Sequence, residues 1–244
     1  MKYYTSNAIY KKIAEKKLNS FYWVAKDAWI LVYADNQYIP KAIVLAYNNF
    51  WLRDESIVKL TYEIAQRSGI PMIQVLFNSS QNEISSVDIA KYNEPFEKVS
   101  LDSLTDVFNG FGLPVNKKAT SKAINSAESS AYHSWQRNNL GQNIVVVDID
   151  LMKVNDKDLI TVLELKRSFY DIDSWSPYTN DYPNFYVLEN LCSMSKSNFY
   201  IVYNQRLTKP KFFDDASHVS VFSFNSGRPE KFGKYSFDEL FNDN

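Results

Sequence analysis

Four side chains in one short stretch have the types and spacing to do chemistry. Asp148, Asp150, Glu164 and Lys166 fall within residues 143–168, NIVVVDIDLMKVNDKDLITVLELKRS. Carboxylates gathered beside a lysine can hold a hard cation, move protons and stabilise a developing anion. A solvated hairpin face carrying the same residues would do none of this. What separates the two cases is the company of the charges. Ile144, Val146, Ile160 and Val162 point the same way as the acids and the lysine if both runs are strands. The face therefore starts as core and ends in charge, and a charge at the edge of a buried face needs a partner or a metal.

The elements that must position these groups read as two strands and a turn. Residues 144–152 are apolar and β-branched, 153–158 are polar and turn-prone, and 159–167 are apolar again. Side chains alternate along each strand, so Asp148 and Asp150 share one side of the first, and Glu164 and Lys166 one side of the second. Which aspartate meets Glu164 depends on register. Opposite residue numbers that sum to 312 would face Asp148 to Glu164, and a sum of 314 would face Asp150 to it.

This order of residues resembles the PD-(D/E)XK nuclease superfamily, with its restriction-endonuclease-like fold. The resemblance rests on Asp148-Ile149-Asp150-Leu151, a short turn, and Val162-Leu163-Glu164-Leu165-Lys166. Val147 and Ile149 stand where a proline often precedes the aspartate. The resemblance spans residues 121–224, and it implies a mixed sheet flanked by helices. It also implies roles. Asp150, Glu164 and the Leu165 carbonyl would hold Mg²⁺, with Mn²⁺ as substitute and Asp148 as the alternative aspartate. Lys166 would orient the attacking water, and Glu128 would be the glutamate of a preceding helix. Asp150 is preferred to Asp148 because an acid and an apolar residue before the aspartate is the common texture of the family.

Composition bounds the rest. The 244 residues carry 27 Lys and Arg against 28 Asp and Glu, so no overall basic field marks a polyanion partner. From Lys196 to Lys234, however, basic residues prevail, through Arg206, Lys209, Lys211, Arg228 and Lys231. This is the stretch best suited to phosphate contacts. The single cysteine, Cys192, excludes an intrachain disulfide and a cysteine-based zinc site, and two histidines, His133 and His218, exclude a multi-histidine one. No apolar run approaches a membrane span, and the start lacks a signal-peptide core, so a cytoplasmic location without membrane attachment is expected.

The remaining chain reads as α/β. Helices are expected over 5–18, 54–68, 101–108 and 121–138, the last with Ile124, Ala127, Ala131 and Trp135 as its inward stripe, and Asp181-Tyr182-Pro183 signals the start of a further one with Phe185, Leu188, Leu191 and Cys192 as its stripe. Strands are expected over 21–25, 29–34, 41–47, 70–77, 198–203 and 218–224, and 78–100 reads as irregular. The lysine-, glycine- and proline-bearing run 111–122 suggests a boundary between an N-terminal α/β region, 1–113, and a nuclease-like domain, 119–244. Helix, strand pair, helix, strand describes both 5–77 and 121–203, an echo that a common α/β pattern also accounts for. The aromatic loop 168–182 is expected to pack into the core.

The expected function is a metal-dependent endonuclease acting on DNA, of restriction or defence type. A repair, junction-resolving or RNA-directed nuclease of the same fold is the first alternative. A catalytically silent nucleic-acid-binding protein on the same scaffold is the second. The N-terminal region would contribute substrate choice or homodimer contacts. The target sequence is not legible.

Overall fold

In the computed structural model of the chain, residues 7–78, 83–116, 118–119, 130–209 and 212–243 are described. They form two α/β units, each built on a six-stranded mixed sheet. The N-terminal unit is Val24–Asp148. The C-terminal unit takes the described part of Tyr3–Trp23 together with that of Ile149–Asn244.

In chain order, α1 (Ala8–Lys16), β1 (Phe21–Tyr22), β2 (Ala28–Asp35), β3 (Pro40–Tyr47), α2 (Glu55–Ser68), β4 (Met72–Leu76), β5 (Ser86–Ala90), β6 (Glu97–Ser100) and α3 (Leu101–Gly110) come first. Then follow α4 (Ala131–Asn139), β7 (Ile144–Asp148), β8 (Leu151–Val154), β9 (Ile160–Ser168), α5 (Tyr182–Ser195), β10 (Asn198–Leu207), β11 (Phe213–Asn225), β12 (Arg228–Ser236) and α6 (Phe237–Leu240). The second series repeats the first, element for element. Even a short 3-10 turn precedes both α2, at Phe50–Leu52, and α5, at Thr179–Asp181.

The sheets repeat as well. Their orders are β7-β2-β3-β4-β5-β6 and β1-β8-β9-β10-β11-β12. In each, the strand that leads into the long helix pairs in parallel with the strand that leaves it, β3 with β4 and β9 with β10, and the other pairings are antiparallel. The echo seen in the sequence thus extends through every described element. One feature breaks the simple repeat. Strand β1 completes the C-terminal sheet and β7 completes the N-terminal one, so each series lends its opening helix and strand to the other unit.

This exchange relocates the expected boundary. The chain passes between the units after Trp23 and after Asp148, whereas the sequence suggests a boundary near 113–119. It also splits the run 144–152, which reads as one strand. The chain leaves the N-terminal sheet at Asp148 and enters the C-terminal sheet at Leu151. A continuous β-branched run carries no mark of such a transfer, because both sheets favour the same residues.

Local signals hold where they are strong. Asp54 caps α2 by accepting from the Ser56 and Ile57 N–H groups, and Gly69 ends it at φ +66°, a left-handed backbone that suits glycine. Pro183 stands in the first turn of α5. Strands β5, β6 and β12 lie in stretches too polar to show an apolar alternation. Each is at or next to a sheet edge, where fewer side chains are buried.

In the C-terminal sheet, Lys166 lies against Phe185 of α5, and Phe21, on the opposite face by strand alternation, lies against Phe241 just after α6. Trp175, Phe185, Ile201, Tyr203, Phe222 and Phe224 form the core under α5. Trp175 stacks flat on Tyr203, with ring centroids 4.1 Å apart. Part of the aromatic loop packs as expected, but Phe169, Tyr170 and Tyr178 are exposed. Among the described residues, no helix is long and apolar enough to cross a membrane.

Candidate functional site

The pairing of β8 with β9 decides the aspartate. Leu151 faces Leu163, Met152 faces Val162 and Val154 faces Ile160, so opposite numbers sum to 314. Asp150, one residue before β8, falls beside Glu164. Its carboxylate turns onto β9 and accepts from the Leu165 N–H at 2.8 Å. The phenol of Tyr10, on α1, donates to the Asp150 backbone carbonyl at 3.0 Å. The lent helix therefore holds the aspartate's backbone in place.

Glu164 lies on the α5 side of β9, and both it and Asp150 are buried. The Lys166 ammonium is 2.9 Å from Glu164 Oε1 and 3.6 Å from Asp181 Oδ2, and it sits over the Phe185 ring. Its side chain keeps 22% exposure, enough to reach a solvent-borne group. Burial alone would lower the Lys166 pKa. The carboxylates of Glu164, Asp181 and Asp150 reverse that and raise it well above the ordinary lysine value. Its neighbours thus favour the charged form of Lys166.

Asp181 is the member that sequence reasoning missed. Asp181-Tyr182-Pro183 reads as a helix start, and Asp181 does occupy the N-cap of α5, but its side chain makes no capping bond. The carboxylate is directed to Lys166 instead. Asp150, Glu164, Asp181 and Lys166 thus bring three carboxyl groups to one lysine.

One expected residue belongs to the N-terminal unit. Asp148 ends β7, opposite Leu31 in the N-terminal sheet, and its charge acts on His133. The chain changes sheets between it and Asp150. Glu128 lies outside the described residues. Of the helix expected over 121–138, the described α4 belongs to the N-terminal unit, where Tyr132 and Gln136 bond to Tyr33. His133 packs edge-on to Trp29 at 4.8 Å, and burial pushes its pKa down to about 4, against a smaller upward pull from Asp148.

The residues present suit a divalent cation in a limited way. Among the described residues, no three His, Cys, Asp or Glu side chains converge as a metal site. Asp150 and Glu164 would supply two carboxylates. In an extended strand the N–H and C=O of one residue point to the same edge. The Leu165 carbonyl therefore points to the edge where its N–H meets Asp150. Mg²⁺ commonly takes one or two carboxylates and keeps several waters, so this donor set fits it.

Part of the basic stretch is paired locally, two cations to each acid. Arg167 and Arg206 both pair with Asp214, with Arg206 Nε 2.9 Å from Oδ1. Lys231 and Lys234 pair with Asp173. Lys211 lies outside the described residues.

No family model matches the chain, and no curated protein matches it. Among solved structures it is similar, at 15% identity over 80% of its length, to a sex pheromone precursor from Lactobacillus salivarius subsp. salivarius. The chain covers 62% of that protein, and the TM-score is 0.15. A likeness of this degree carries no argument.

Proposed function

We propose that the chain is a metal-dependent endonuclease that hydrolyses phosphodiester bonds in DNA, of restriction or defence type, with a restriction-endonuclease-like core in its C-terminal unit. The observation that carries this reading is the junction of Asp150 with Glu164 and Lys166 through the 314 register, because three residues of the motif meet only in that pairing. Supporting it, α1, β1, β8, β9, α5 and β10 make a helix-flanked mixed sheet in which Asp150, just before β8, meets β9 where it carries Glu164 and Lys166.

Bound Mg²⁺ would supply a water acidic enough to attack at neutral pH and would neutralise charge on the phosphate. Asp150 and Glu164, with the Leu165 carbonyl, would hold it. The Lys166 ammonium, kept charged by three acids, would orient the attacking water and stabilise negative charge on the phosphoryl oxygens. The Leu165 N–H fixes the Asp150 carboxylate so that it need not reorganise. Asp181 positions Lys166 from the other side.

The test is nicking of supercoiled plasmid with Mg²⁺ and with chelator, alongside a duplex, a four-way junction and an RNA strand. Mg²⁺-dependent cleavage of DNA that vanishes in Lys166→Ala is the expected result. Absence of cleavage across the panel, or a Lys166→Ala protein that cuts at the parent rate, would defeat the reading.

A further inference from the structure

At the end of β9 stands an aromatic surface that core packing does not explain. Strand β9 carries Glu164 and Lys166 and then runs out through Arg167 and Ser168 into Phe169 and Tyr170, which are 56% and 61% exposed. Phe212, also 56% exposed, lies against Phe169 with ring centroids 5.9 Å apart and planes at 72°. The Arg206 guanidinium sits over both rings, 5.8 Å from Phe169 and 5.0 Å from Phe212. Tyr170 and the exposed Tyr178 form a second pair at 6.4 Å. Exposed aromatic rings are costly in water and concentrate where a ligand covers them.

The charge beside the rings selects the ligand. Arg206, over both rings, is anchored with the mostly buried Arg167 on Asp214, whose side chain is 5% exposed, so its guanidinium is held at this surface. A second copy of the chain docking here through a two-fold axis would bring like guanidiniums together, which opposes association. A polyanion with flat π-faces is matched on both counts, since bases stack on aromatic rings and arginine planes while phosphates take the charge. In a duplex those π-faces are already stacked inside, whereas an unpaired strand offers them.

We infer that Phe169, Phe212 and Arg206 form a stacking platform for unpaired nucleotides of the substrate, where β9 ends. This rests on the nuclease reading for the identity of the polymer, and it narrows the substrate to DNA with a single-stranded or branched segment.

The test is fluorescence anisotropy with a labelled oligothymidylate and with a blunt duplex of equal length, in chelator so that nothing is cut. The parent protein should bind the single strand at least about tenfold more tightly than the duplex. Each stacked base is worth about 1–3 kcal/mol, so Phe169→Ala/Phe212→Ala should weaken single-strand binding about 10- to 100-fold and leave duplex binding unchanged. Phe169→Tyr/Phe212→Tyr should retain it. Both rings are more than half exposed, and thermal melting will verify that the variants fold. Equal binding of strand and duplex overturns the inference, as does a double alanine variant that binds like the parent. So does a concentration-dependent dimer of the parent that the alanine variant dissolves. Plasmid nicking on the same preparations separates the two proposals. Cleavage with ring-independent strand binding sinks the platform alone, and ring-dependent binding without cleavage of any substrate sinks the nuclease alone.

Discussion

The two units carry different chemistry at one place in the same scaffold. Where β9 and β10 lead toward and away from α5, the C-terminal unit sets Glu164, Lys166 and Asp181 beside Asp150. Where β3 and β4 do the same around α2, the N-terminal unit sets Tyr47, Gln74 and Arg53. Gln74 Oε1 accepts from the Tyr47 phenol at 3.1 Å and from Arg53 Nε at 2.8 Å, and Arg53 also pairs with Glu55. That second network is closed upon itself, with one amide oxygen meeting two donors and one carboxylate meeting the arginine. It satisfies buried polar groups and leaves no cluster of acids. The contrast teaches that the repeat supplies position, and side chains alone decide whether the position does chemistry.

The largest expected effect breaks the comparison on its active side. Lys166→Ala should lower cleavage by about 10²–10³-fold or more, the scale of losing one preorganised electrostatic group. Gln74→Leu, at the matching place, should leave the single-turnover rate unchanged. Equal losses in both variants would mean that the two networks are not functionally distinct.

Much of this contrast was readable from residue types, and the reasons for the rest are specific. The run from Ile160 to Lys166 showed its face by alternation, and Asp54 and Gly69 bracketed α2 through local capping. Two things were hidden. The passage of the chain from one sheet to the other between Asp148 and Asp150 leaves no local trace, since apolar strand residues serve either sheet. Asp181 looked like a helix cap because capping is the usual use of an acid there, and only the tertiary approach of Lys166 gives it another use.

A second effect belongs to the N-terminal unit alone. Burial lowers the His133 pKa to about 4, so its neutral form is the one the fold accepts. Stability from this group is fully present above its unfolded value near 6.5 and is lost as pH falls from there toward 4. The loss should approach about 3 kcal/mol at the acid end, read by urea denaturation at a series of pH values. His133→Gln should flatten that slope, and an unchanged slope would show that another group is responsible.

Next in size is the structural worth of the closed network. Gln74→Leu leaves the Tyr47 and Arg53 donors short of an acceptor and should cost about 1–3 kcal/mol in chemical denaturation. A cost near zero would show that water replaces the amide.

The smallest effect sharpens the active side. Because its acidic neighbours raise the Lys166 pKa, the ammonium persists through neutral and mildly alkaline pH. Its favourable contribution is complete below the ordinary lysine value and fades only as pH rises toward the higher folded value. Rate profiles should therefore show no falling limb from this group up to about pH 10. Asp181→Asn removes one of the acids, so it should bring that limb to lower pH and cost less than about tenfold at neutrality, a positioning effect. A loss as deep as that of Lys166→Ala would instead give Asp181 a direct part in the reaction.

The central claim is that the acids of the C-terminal unit form a metal centre and the matching place in the N-terminal unit does not. Calorimetric titration of Mn²⁺ into the parent protein, Asp150→Asn, Glu164→Gln, Lys166→Ala and Gln74→Leu tests it most directly. One site that disappears in Asp150→Asn and in Glu164→Gln, and persists in Lys166→Ala and Gln74→Leu, is the predicted result. No binding by the parent, or binding that survives Glu164→Gln, would contradict it.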